Sequence, residues 1–129
     1  MNNIQKQQIL IWWVLWAAFL VGIFVMYHFL TAQTHQPTPD SSSSWYLAAT
    51  PFWVSVVVRW VVLPRLKYIR AALPFFVLGI AFAETTMFLG IFIFPSHRFE
   101  LLILSAAGIF QFMPYFAGRY SIDATSTSQ

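Results

Sequence analysis

The chain of 129 residues contains no cysteine, and only 9% of its residues are Asp, Glu, Lys or Arg. Without thiols there is no disulfide framework, no thiolate metal site and no cysteine nucleophile. The shortage of charge excludes more. An ordinary soluble domain draws about a quarter of its residues from the charged set to furnish a wetted surface, so a water-soluble globule is excluded on composition. Glycine-rich phosphate loops and a Gly-x-Ser-x-Gly turn are missing, and no second acid stands where it could work with a first. The expectation is therefore a non-enzyme without a cofactor. The net charge of +3 is dispersed along the chain and forms no basic patch of the kind nucleic acid requires.

What is abundant is hydrocarbon. Apolar residues make up 59% of the chain, close to what four membrane spans of about 20 residues each would consume. The first uncharged run is Ile9 to Leu30, longer than the apolar core of a cleaved signal peptide, and Trp12, Trp13 and Trp16 stand near one end with Tyr27 and His28 near the other, as interfacial rings do. Residues 31–44, rich in Thr, Gln, Pro and Ser, read as a flexible outer loop. A second span covers 46–63, with Pro51 in its first turns and Pro64 closing it. Its valines would suit a strand, but a lone strand in lipid leaves unpaired backbone groups. The third span covers 75–94 between Pro74 and Pro95. The fourth covers 99–117, with Glu100 at the positive end of its dipole and Pro114 loosening its last turn. The tail from 121 to 129 reads as disordered. The whole is expected to be all-α: one membrane domain of four transmembrane helices in an up-down bundle of two hairpins.

Cations near span ends are retained in the cytoplasm. Lys6, Arg59, Arg65, Lys67, Arg70 and Arg119 fall on one side of this layout and Arg98 alone on the other. That bias predicts a multi-pass protein of the inner, cytoplasmic membrane with both termini cytoplasmic. The basic connection 64–74 holds Arg65, Lys67 and Arg70, which set topology or meet lipid headgroups, and its Leu66, Ile69 and Leu73 let it either lie along the interface or continue span three.

Glu84 falls in the middle of span three, where a carboxylate costs about 2.5–3.5 kcal/mol and so is expected to face protein or trapped water. Gly79, Ala83, Thr86 and Gly90 lay a small-residue strip beside it that allows another helix to approach closely. By depth, Gln111 and Ser105 of span four and Arg59 of span two are available as its partners. Two readings follow. In one, these polar groups lock the helices together; in the other, Glu84 binds a proton or cation. His28, His35 and His97 lie at or beyond the outer interface without helical i, i+4 partners, so no metal site is expected.

The run Leu78-Gly79-Ile80-Ala81-Phe82-Ala83-Glu84, followed by Phe88-Leu89-Gly90, resembles the carboxylate-bearing helix of the rotor c subunit of ATP synthases. The resemblance implies an ion-carrying Glu84, and Thr85 is similar to the hydroxyl that follows the acid in sodium-carrying versions. It covers about one span. Span two has Trp53, Arg59 and Trp60 where the rotor's inner helix has repeated glycines. The function expected from all these features is that of a structural or accessory subunit packing through span three, against its own copies as a homo-oligomer or within a larger membrane complex. The alternative is a proton- or cation-translocating component using Glu84.

Overall fold

The computed structural model describes residues 3–33 and 44–120. The expected outer loop, its His35 and the polar tail from 121 lie outside the described residues. Among the described residues four helices are long and apolar enough to cross a membrane: α1 (Asn3–Gln33), α2 (Trp45–Arg65), α3 (Ile69–Phe92) and α4 (Pro95–Arg119). They mark a helical membrane protein.

The core is the α3–α4 pair. Small residues let the two backbones approach: Gly79 lies against Phe112, Ala83 against Gly108, and Gly90 against Leu101. The register is antiparallel. A side chain at Gly108 would meet the Ala83 methyl at 2.8 Å, and one at Gly90 would meet the Leu101 Cβ at 2.8 Å. Helix α2 packs mainly on α3, while α1 packs on α3 and α4 rather than on α2. The two ends of the assembly differ. At one, Trp12 of α1 packs against Phe76 of α3 and against Phe116 and Tyr120 from the end of α4. At the other, Trp45 stacks on His97 at 4.7 Å.

Three features depart from the sequence-based expectation, each for a local reason. Helix α3 begins at Ile69 rather than beyond Pro74, which sits inside it. Ile69, Ala72 and Phe76 are all buried, and their spacing of three and four residues carries the apolar stripe of α3 through the proline. The connection thus continues span three. Trp12 and Trp16 are 1% and 8% exposed; these rings are core, because the faces they occupy look onto α3 and α4. Finally, α2 is not uniform. Its turn Val58–Val62 is a π-helix, with the Leu63 N–H donating to the Val58 carbonyl. It lies immediately before Pro64, whose missing N–H leaves the Trp60 carbonyl without its regular donor.

Helix α4 is interrupted as well. Its α-helical part ends at Phe110, and a 3-10 turn restarts at Pro114. The break releases backbone carbonyls inside the protein, where each must find a donor.

Candidate functional site

The break in α4 gathers most of the expected polar residues. The Ile109 carbonyl accepts from the Phe112 N–H at 3.0 Å and from the Trp16 indole N–H at 2.9 Å. The Gln111 carbonyl accepts from Arg59 Nε at 2.8 Å. The Gln111 side chain is used at both ends: its Nε2 donates to Ser55 Oγ at 3.2 Å, and its Oε1 accepts from the Trp60 indole at 3.1 Å. The Ser55 hydroxyl in turn donates to the Phe52 carbonyl at 2.6 Å. The side chains of Ser55, Arg59 and Trp60 thus fasten α2 to the broken turn of α4. Ser55 and Arg59 are four residues apart and so share one face of α2.

Arg59 is 5% exposed. Its guanidinium carbon lies 4.0 Å from the Phe116 ring centre and 4.6 Å from that of Trp60, a geometry in which ring faces offset the lost hydration of a cation. Beyond α4, the Tyr120 hydroxyl donates to the Leu63 carbonyl at 2.8 Å. Burial pushes the Tyr120 phenol above its ordinary 10.0, against the opposing pull of Arg59 and Arg119. The phenol therefore stays a donor at neutral pH.

Glu84 is elsewhere. Neither Gln111, Ser105 nor Arg59 reaches it: Gln111 and Arg59 are committed to each other's helices, and the Ser105 hydroxyl is buried without a partner. Depth along a span brought these residues level with Glu84, but the helix faces separate them. Glu84 instead lines a cavity of about 170 Å³ with Ala18, Phe19 and Gly22 of α1. It is half-buried. No charged or hydrogen-bonding neighbour acts on it among the described residues. A side chain added at Gly22 would meet nothing within 4 Å, so the groove between α1 and α3 is open there. Thr85 is exposed, and its hydroxyl donates to the Ala81 carbonyl at 2.8 Å, one turn back in its own helix.

The small-residue strip is not a free surface. Gly79, Ala83, Thr86 and Gly90 are all buried, and the neighbours of its glycines and alanine come from this chain's own α4 and, at Val58, from α2. The close approach the strip permits is used internally, which corrects the expectation that span three offers it to another chain. The same register that sets Ala83 against Gly108 brings Thr86 level with Ser105, and both hydroxyls lack a partner. Arg65, Lys67 and Arg70 are exposed around the α2–α3 connection.

Two residues central to this arrangement are not candidates on sequence alone: Ser55 sits in a valine-rich run, and Trp16 in a tryptophan cluster is expected at an interface. Both take their place because α4 breaks against them, at the turn that Pro114, three residues beyond Gln111, is expected to loosen.

No protein-family model, curated protein or solved structure matches the chain.

Proposed function

We propose that the chain is a multi-pass protein of a cytoplasmic-type membrane, an up-down bundle with both termini cytoplasmic. In this reading it is a non-enzymatic accessory subunit, and its Glu84 groove receives a polar side chain from a partner transmembrane helix. The observation that carries the proposal is the contrast between two polar groups. The Ser55–Arg59–Gln111 cluster finds its hydrogen bonds inside the chain, whereas the Glu84 carboxylate, in the middle of an apolar helix, has none among the described residues. A carboxylate at that depth needs a donor, a cation or a proton. Ala18 and Gly22 leave room beside it for a close helix.

The second reading, translocation of a proton or cation through Glu84, draws on the same cavity and on the local likeness to rotor carboxylate helices. A bare cation is the weaker form of it. Hard cations take about six or more oxygen ligands, and among the described residues Glu84 is the only polar side chain lining the cavity. The proton form survives that objection.

Exchange of Glu84 for Gln and for Leu separates the readings. An accessory subunit held through this groove keeps its partner on purification from the membrane when Gln is present, because the amide retains shape and hydrogen bonding, and loses it with Leu. If the Gln variant assembles fully but abolishes ion flux in reconstituted vesicles, the carrier reading replaces it.

A further inference from the structure

The buried guanidinium of Arg59 is more than the cap on α4 requires. Capping a freed carbonyl takes one neutral N–H, and the Trp16 indole does this for Ile109 without bringing any charge inside. Arg59 uses Nε for Gln111 and shares a side-chain hydrogen bond with Tyr115; with five N–H donors, a permanently charged fork still has donors left for another acceptor. Among the described residues no carboxylate acts on it; its electrostatic neighbours are Tyr115, Tyr120 and a second cation, Arg119. A buried charge without a counter-charge is strongly unfavourable.

The space in front of it is built for one. Arg59 lines a cleft of about 170 Å³ between the ends of α2 and α4, together with Arg119 and Tyr120 and the apolar walls of Leu63, Leu66 and Phe116. On the same measure a single water needs about 10–15 Å³, so the cleft holds a larger hydrated group. The arrangement is specific in three ways. The ring contacts to Phe116 and Trp60 and the Nε bond fix the plane of the guanidinium. Arg119 is exposed at the rim, where it adds charge without burial. Arg65 ends α2, and Lys67 stands in the connection that follows it. Planar forks of this type bind phosphate through paired charge-assisted hydrogen bonds.

We infer that the Arg59–Arg119 cleft is a binding site for a phosphate group, with Arg59 as the fixed bidentate ligand and Arg119 as the exposed rim cation. The apolar walls and the position at the basic end of the spans suit the headgroup of an anionic phospholipid, with its upper acyl chain against Leu63, Leu66 and Phe116. A soluble phosphate ion offers the same oxygens without the chain. The inference is independent of the Glu84 groove, which lies between a different pair of helices.

The test uses the full chain in uncharged detergent, with bound lipid counted by native mass spectrometry. Short-chain phosphatidylglycerol, phosphatidylcholine and inorganic phosphate are supplied in separate titrations. Phosphatidylglycerol is expected to saturate at one copy and to bind roughly tenfold or more tightly than phosphatidylcholine. Arg59→Lys, which keeps the charge but loses the fork, and Arg119→Gln, which alters only an exposed side chain, each weaken it several-fold. Saturable binding of inorganic phosphate with the same dependence on both arginines supports the site and identifies a soluble anion as its occupant. Equal retention of the two lipids without phosphate binding, or affinity unchanged in a folded Arg119→Gln and Arg59→Lys pair, overturns the proposal.

Discussion

Arg59 Nε lies 2.8 Å from the backbone oxygen of Gln111, so a buried arginine on α2 closes the break in α4. The bond joins two irregular turns. The π turn of α2 contains Arg59, and the unwound turn of α4 begins at Gln111. The guanidinium carried by the first supplies the donor that the freed Gln111 carbonyl of the second lacks, and the Gln111 side chain returns bonds to Ser55 and Trp60. The first prediction follows from those side-chain bonds. Gln111→Leu removes the bonds to Ser55 and Trp60 and is expected to destabilise the helix assembly by about 1–2 kcal/mol, given about 0.6 kcal/mol for an average interhelical bond in membranes and about 1.7 at most. Ser55→Ala costs less. Reversible unfolding in mixed micelles measures both, and a double-mutant cycle is expected to show positive coupling.

Glycine tolerance is expected to divide by helix face. At Gly108 and Gly90 an added methyl runs into a Cβ that cannot rotate away, on Ala83 and Leu101 respectively. Gly108→Ala and Gly90→Ala are predicted to cost about 1–3 kcal/mol through overpacking. Gly22→Ala meets open space and is predicted to stabilise the chain by up to about 1 kcal/mol through helix propensity alone. Thermal unfolding of the three variants in one detergent gives the order.

Thr86 and Ser105 hold buried hydroxyls without partners. Removing such a group relieves its desolvation penalty. Thr86→Val and Ser105→Ala are each expected to leave stability unchanged or raise it by about 1 kcal/mol, the opposite of what a catalytic or coordinating hydroxyl pair would show in an activity or binding assay.

The Tyr120 phenol gives a pH dependence. Burial raises its pKa in the folded chain above the ordinary 10.0, so the folded state holds this proton more tightly than the unfolded state does. Its contribution is fully present below the unfolded value and declines as pH climbs through and beyond 10.0. Alkaline unfolding curves of the chain are expected to shift to higher pH in Tyr120→Phe relative to that variant's own neutral stability, because the titrating group is gone.

The four helices were legible in the sequence because hydropathy and proline act locally. Pro51, Pro64, Pro95 and Pro114 each stand at or near a helix end or a helix break. Pro74 was misleading for the same reason: its local tendency to start a helix was outweighed by the buried stripe of Ile69, Ala72 and Phe76. The candidate site was legible in its members and not in their pairing. Depth along a span fixes one coordinate, and the facing of a side chain is a second that depends on the rotation of each helix. The extra residue of the π turn shifts that rotation by about 100°, and no local signal marks it. Depth alone therefore puts Gln111, Ser105 and Arg59 level with Glu84, whereas Gln111 and Arg59 turn toward each other's helices.

The central claim is that Glu84, which has no partner among the described residues of its own chain, gains one in the membrane. Labelling by a hydrophobic carbodiimide, read by mass spectrometry of the peptide carrying Glu84, tests it directly. The purified monomeric chain is predicted to be modified at Glu84, and the same residue in intact native membranes is predicted to be protected. Equal modification in both settings, or none in the purified chain, would contradict the account.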